Sequence, residues 1–229
     1  MERRAPAGAA EPLNSDLPLQ QAERGEVTAR FIALARPAVL LGRHQDAGVV
    51  DDQETARLGW DVRRRLTPGG AVYMDRAAIC VEVAVPASHA AASPDVMRAT
   101  VWFGTLLAGA LSAIGVAAVV ADAASPPTAG LAAQACFGSW VRGEVLLDGR
   151  KVFGTAQYRR RGNALFQAVA LSAGSHRQVV VSLAGSPQQR QEAAAAIDAR
   201  SAVLTGIATS AMRDAIRAAL ESSSICVHD

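Results

Sequence analysis

The stretch 144–157 constrains this chain more than any other. Glu144-Val-Leu-Leu leads into Asp148-Gly149 and then Lys151-Val-Phe-Gly. An Asp-Gly pair between two β-capable runs marks a two-residue hairpin turn, because both central residues must take positive φ. A second turn at 161–163, Arg-Gly-Asn, sends the chain back through the apolar run 164–171. These segments predict antiparallel sheet, and any helices must pack on its faces.

The rest of the chain fits that frame. A short helix is predicted over 16–24, ending at Gly25, then strands over 27–32 and 38–41. A two-turn helix is predicted over 51–58, closed by Gly59, and 60–66 alternates apolar and basic residues like a strand with one wet face. Thr67-Pro-Gly-Gly70 is a tight loop, after which 71–73 and 77–85 read as paired strands. Ser93-Pro94-Asp95 supplies a hydroxyl cap, a first-turn proline and an acid for the helix dipole, so a helix should run to about 114. A strand is expected over 116–120, a loop over 125–130, another strand over 179–183, and helices over 187–199 and 206–221. Strands interrupted by one long helix and followed by closing helices indicate an α+β fold with mixed or antiparallel sheets packed with helices. We expect a loose segment over 1–13 and one catalytic domain over 14–229.

Composition excludes several classes. The 23 basic and 21 acidic residues leave a net charge of +2, so charge gives no case for nucleic-acid binding. Arg63-Arg64-Arg65 and Arg159-Arg160-Arg161 are local runs of the kind found at solvated strand ends. The stretch 101–121 is uncharged and long enough to span a bilayer. It is interrupted by Gly104, Thr105, Gly109, Ser112 and Gly115, and is read as a buried helix running into a core strand, not a membrane span. Three scattered cysteines, Cys80, Cys136 and Cys226, suit reduced thiols in a cytoplasmic protein. No secretory leader is expected. His44, His89, His176 and His228 do not pair at ligand spacing, so no metal site is expected.

Four segments carry chemistry together: Leu41-Gly-Arg-His-Gln45, Arg64-Arg-Leu-Thr-Pro-Gly-Gly-Ala-Val-Tyr-Met-Asp75, Cys136-Phe137, and Asp148-Gly-Arg-Lys-Val-Phe-Gly-Thr-Ala-Gln157. Gly69 and Gly70 allow backbone N–H groups to approach a carboxylate, thioester or phosphate without an obstructing side chain. Arg64 and Arg65 can supply charge to an anionic group, though on an alternating strand only one need face inward. Lys151 stands on the strand after a rigid turn, and Gly154 and Ala156, further along it, are small.

In this order the four segments resemble the lipoate-protein ligase and octanoyltransferase family of the biotin/lipoate protein ligase superfamily. That family shows Gly-Arg-x-Gln, then Arg-Arg-x-Thr-Gly-Gly-Gly-Ala-Val-x-His-Asp, then Gly-x-Lys-x-x-Gly-x-Ala-Gln. The resemblance covers 37–183. It implies a catalytic domain of that superfamily's fold which handles an octanoyl or lipoyl group. On that resemblance Gly69, Gly70 and Ala71 form the acyl or adenylate loop, and Arg64 or Arg65 supplies charge to an acyl-adenylate or carrier phosphate. Lys151 would contact the acyl carbonyl, Gly154 and Ala156 would leave room for the acyl chain, and Gln157 would orient the lysine or the acyl head group. Cys136, fifteen residues before Lys151, resembles the nucleophile of the cysteine-dependent octanoyltransferases. An ammonium beside it would favour the thiolate and help hold the oxyanion. The resemblance thus implies transfer from an acyl carrier protein, through a Cys136 acyl-enzyme and without a cofactor. The acceptor would be a lysine of a lipoyl-domain protein, such as glycine cleavage H protein or a 2-oxoacid dehydrogenase E2. Two other readings stay open. One is a ligase using ATP and Mg2+ through lipoyl-AMP; too little chain follows Leu183 for the usual accessory domain, so it would need a partner chain. The other is a homologue that binds acyl or lipoyl-domain partners without turnover.

Three positions depart from the pattern. Pro68 replaces the first glycine of the triplet and lacks an N–H. Met74 replaces the histidine before the aspartate, and Gln167-Ala-Val replaces a Gln-His-Gly run. Met74 cannot serve as acid, base or charged donor, and loss of the His-Gly pair bears on the shape and polarity of the acyl pocket.

Overall fold

The computed structural model describes residues 16–228, so the expected loose segment 1–13 lies outside the described residues. Two sheets carry the fold, and their strands arise where β-branched and apolar residues run between breakers. Helix α1 (Leu17–Glu23) precedes β1 (Thr28–Ile32) and β2 (Ala38–Leu41). Helix α2 (Asp52–Leu58) begins where Asp51 accepts from the Glu54 N–H and ends at Gly59, whose φ of 67° is the left-handed stop that glycine permits. Then come β3 (Asp61–Arg64), β4 (Val72–Met74), β5 (Ala78–Val85) and the long helix α3 (Val96–Ala113). After β6 (Val119–Val120), the meander β7 (Val145–Leu147), β8 (Arg150–Arg160) and β9 (Asn163–Leu171) follows. Helices α4 (Pro187–Arg200) and α5 (Thr209–Ser222) and strand β10 (Cys226–His228) close the chain.

The large sheet has the order β10-β1-β5-β9-β8-β7-β6, and the small one β3-β2-β4. Among the described strands β1–β10 and β2–β3 pair in parallel and the other pairs are antiparallel, so the architecture is the mixed α+β class expected. Alternation along β5 divides the molecule into two cores. Ile79, Val81, Val83 and Val85 face α3 and α5, meeting Phe103, Leu107, Met212 and Ile216. Ala78 and Cys80 face the small sheet and α4, meeting Leu40, Val72, Val169 and Ile197. The apolar helix α3 is long and apolar enough to cross a membrane by length and composition; here its buried face packs on the sheet and on α5.

Both turns of the meander form as the sequence indicates. Asp148 and Gly149 have φ of 50° and 70°, and Arg161 and Gly162 have 52° and 84°, as a two-residue turn with both centres left-handed requires. Between β7 and β8 the register slips. Val145 faces Phe153 while Leu146 faces Lys151, so Val152 is an extra residue on β8. This bulge reverses the side-chain parity of the strand beyond it.

Four expectations are corrected. Segments 71–73 and 77–85 do not pair: β4 joins β2, whereas β5 lies between β1 and β9. The turn between them, with Asp75 accepting from the Ala77 N–H at 2.8 Å, is a corner from one sheet to the other. The strand expected over 179–183 is a 3₁₀ helix, His176–Ser182. Val179 and Val180 are both buried in one core, which consecutive strand residues cannot be. Helix α3 is capped by Asp95, which accepts from Arg98 N–H at 3.0 Å; Ser93 instead accepts from Asp95 N–H. Finally, a strand that the sequence reading does not include follows α5: β10 pairs in parallel with β1, Cys226 against Thr28.

Phe166 on β9 is 1% exposed and stacks between Trp102 and Phe103 of α3, with ring centroids 5.3 Å from each. Phe166→Ala should therefore cost about 3–5 kcal/mol in urea unfolding, the range for removing a fully buried aromatic.

Candidate active site

Cys136 and Lys151 meet at the edge of a slot between the two sheets. The Lys151 Nζ is 3.4 Å from Cys136 Sγ, 2.7 Å from the Cys136 carbonyl oxygen, 3.1 Å from that of Ser139 and 2.8 Å from Glu144 Oε1. An ammonium has three protons, and three oxygens already accept them, so its effect on the sulfur is electrostatic. Lys151 and Glu144 are only 2% and 3% exposed. Burial works against the ammonium, but Cys136 and Glu144 outweigh it and hold the Lys151 pKa above the ordinary lysine value. Glu144 is fixed in turn: Oε2 accepts from Val141 N–H at 3.0 Å and Oε1 from Thr155 N–H at 2.9 Å.

The bulge at Val152 makes this meeting possible. In an unbroken strand, positions 151 and 154 would face opposite sides. With the extra residue, Lys151 and Gly154 share the slot face. A Cβ built on Gly154 would stand 2.9 Å from Cys136 Sγ and 3.3 Å from the Lys151 Cε. Gly154 is thus required for the sulfur and the lysine stem to lie against the strand, and Ala156 continues the slot wall.

The glycine loop is held from behind by Arg65. Its guanidinium donates to the carbonyls of Leu40, Pro68 and Gly70 at 3.0–3.1 Å and to Thr67 Oγ1 at 3.2 Å. Gly69 takes φ of 115°. A Cβ on Gly70 would lie 2.7–2.8 Å from Gln134 O, Ala135 C and Cys136 N, so this residue lets the loop press against the Cys136 segment. Ala71 completes the junction, donating to Gln134 O at 2.7 Å and accepting from Cys136 N–H at 2.9 Å. Among the described residues, Gly69 and Gly70 N–H donate to no protein acceptor, and Gly69 lines the slot. Pro68 contributes a carbonyl to Arg65, so its missing N–H costs the loop no bond seen here.

Three of the expected site residues lie away from the slot. Gln157 does not reach Lys151: it lies on the other face of β8 and donates to Val96 O and Thr100 Oγ1 of α3. Arg64 lies outside the slot, donating to the carbonyls of Gly42, Arg43 and Gln45. Ala71 has both backbone groups committed to positioning Cys136 and is not a slot-lining residue. Of the arginine pair only Arg65 turns inward, and its charge braces the loop.

Sequence reasoning missed Glu144, His176 and a buried polar row. The His176 ring stacks on Phe137 at 3.4 Å, and burial depresses its pKa to about 3. Arg30, Glu82, Gln167 and Thr67 form a hydrogen-bonded chain across the large sheet to Arg65; Arg30 Nε meets Glu82 Oε2 at 2.7 Å. Burial raises the Glu82 pKa, opposed by Arg30 and Gln167. The available signal was a lone polar residue in each of two apolar strands, Glu82 in β5 and Gln167 in β9.

A slot between a seven-stranded and a three-stranded sheet, with a braced glycine loop at the rim and a buried lysine at its edge, is the arrangement of a catalytic domain of the biotin/lipoate protein ligase superfamily. The lipoyl protein ligase A/B catalytic domain matches residues 15–222, and the chain belongs to that family. Among curated proteins none matches it by sequence. Solved structures share the fold. Lipoate-protein ligase A bound with ATP is 18% identical, TM-score 0.71, over 93% of this chain and 80% of that one. A bipartite lipoate protein ligase of Thermoplasma acidophilum, studied with its E2 lipoyl domain, is 17% identical, TM-score 0.69, over 94% and 84%. A Thermoplasma acidophilum structure with bound lipoic acid is 15% identical, TM-score 0.68, over 95% and 86%.

Two predictions follow from the buried charges. Glu144→Ala strands the Lys151 ammonium and should cost about 3–5 kcal/mol at pH 7 in urea unfolding. A raised lysine pKa stabilises fully below the unfolded value, about 10.4, and the benefit fades as pH rises through the folded value. The gap between wild type and variant should therefore narrow in strong alkali. His176 has the opposite sense. The unfolded chain protonates it below about pH 6.5 while the folded chain resists to about 3. Wild type should lose up to about 1.4 kcal/mol per pH unit across that window from this group, and His176→Phe should flatten the acid limb of the stability profile.

Proposed function

We propose that this protein transfers an octanoyl or lipoyl group to a lysine of a lipoyl-domain protein through a Cys136 acyl-enzyme. The observation that carries this reading is the Lys151 ammonium 3.4 Å from Cys136 Sγ, over the space that Gly154 leaves open. The Cys136 thiolate attacks the thioester carbonyl of an acyl carrier protein. The new S–C bond replaces the carrier's, and the carrier thiolate leaves with the proton that Cys136 gave up. The acceptor lysine, as a neutral amine, then attacks the Cys136 thioester. The C–N bond forms, the Cys136 thiolate departs, and the amine's proton passes to the thiolate or to water. Lys151 remains charged throughout. As each tetrahedral oxyanion develops, it can compete for the proton now given to Ser139 O, the longest of the three oxygen contacts.

No cofactor enters this reaction. In the ligase alternative, ATP and Mg2+ would supply lipoyl-AMP, Lys151 would grip the adenylate, and Cys136 would be a bystander. The decisive measurement is transfer to a lipoyl domain from octanoyl carrier protein, and from free lipoate with and without ATP. We expect ATP-independent transfer, an octanoyl mass adduct on Cys136, loss of both in Cys136→Ser, and at least a hundredfold loss in Lys151→Ala. ATP-dependent transfer that survives in Cys136→Ser would replace this reading with the ligase.

A further inference from the structure

The slot beyond Cys136 is closed by residues in two of the three positions that depart from the family pattern. Along the large sheet, Gly154 lies opposite Val169, and Val169 lies opposite Cys80. An acyl chain anchored on Cys136 Sγ crosses Gly154 and meets Val169 one strand further on, about 4.8 Å away. Met74, from the small sheet, is 1% exposed and faces the same space. Leu40, Val72 and Cys80 complete a wall of hydrocarbon and sulfur. The free volume is ≈ 50 Å³. At about 10–15 Å³ for each water-sized group, that is room for on the order of four, fewer than an octanoyl chain needs.

Entry of a longer chain therefore depends on which wall can yield. Met74 is unbranched and can swing along the slot. Val169 is β-branched, sits in a central strand between β5 and β8, and has little rotamer freedom. A thin unbranched chain can pass beside Val169 as Met74 moves. The two-sulfur ring at the end of a lipoyl group is wider than a methylene chain and cannot.

We propose that Val169 makes this site selective for unbranched saturated acyl groups over the dithiolane-bearing lipoyl group, with Met74 as the adjustable end wall that sets chain length. This rests on the acyl-transfer reading above. The test compares wild type, Val169→Gly, Val169→Ala and Met74→Ala on butanoyl, octanoyl, decanoyl and lipoyl carrier thioesters. Calorimetric binding of the corresponding free carboxylates is measured alongside. Wild type should favour octanoyl over lipoyl by about tenfold or more in kcat/KM, the scale on which an apolar pocket discriminates by size. Val169→Gly should reduce that ratio to about threefold or less, with Val169→Ala, which keeps a side chain in the strand, in between. Met74→Ala should shift the preferred length toward decanoyl. Equal use of octanoyl and lipoyl by wild type, or an unchanged ratio in a folded Val169→Ala, would overturn the proposal. If no thioester is turned over but octanoate still binds more tightly than lipoate, and Val169→Gly levels the two, the selectivity stands and the transfer reading falls. Turnover without discrimination has the reverse meaning.

Discussion

Burying an ammonium requires an answer for each of its protons, and the fold around Lys151 is arranged to give three. Glu144 neutralises the charge at 2.8 Å, while the carbonyls of Cys136 and Ser139 take the other two protons. A buried ion pair of this kind is poor value as stabilisation, since apolar residues of similar shape would serve as well or better. It is informative about function for that reason. The charge is kept where the chain could be more stable without it, and the atom it faces besides its own partners is the Cys136 sulfur.

Placement of that sulfur comes from several independent close approaches. Gly70 lets the loop touch the backbone at Gln134–Cys136, Ala71 bonds that backbone on both sides, and Gly154 clears space under Sγ. The loop is anchored through its carbonyls to Arg65, and Arg65 is tied through Thr67 and Gln167 to Glu82 and Arg30 in the large sheet. A polar row buried between two apolar layers costs desolvation at each member, which its hydrogen bonds offset. Through this row the Cys136 segment is tied to the large sheet.

Much of this was legible in the residues because local chemistry decided it. Asp148-Gly149 and Arg161-Gly162 fixed both turns of the meander, and Gly59 fixed the end of α2, each through a backbone angle that few residues tolerate. The Cys136–Lys151 pairing followed from motif order. What escaped was set by tertiary context. Strand 71–73 looks like any partner for 77–85 until the corner at Asp75 moves it to the other sheet. The apolar segment at 179–183 satisfies strand propensity but buries consecutive valines against one core, so packing overrode propensity. Gln157 belongs to the same motif as Lys151, and the bulge separates them: 151 and 157 share parity in an unbroken strand and lose it when Val152 is inserted.

The bulge also explains why the spacing of Lys151 and Gly154 is opaque to pattern reading. From Gly154 onward β8 pairs regularly with β9, and its parity there is dictated by the two cores on either side. From Arg150 to Lys151 it pairs with β7 on the sheet's outer side. Only an odd insertion between these registers can put an ammonium and a vacant Cβ position on the same face, and Val152 and Phe153 make that insertion affordable by both burying fully in the α3 core. Two adjacent apolar residues between the lysine and the glycine are thus a geometric requirement. A polar residue at either site would leave the extra position unsatisfied in the core, and the strand would relax to regular pairing with Lys151 turned away from Cys136.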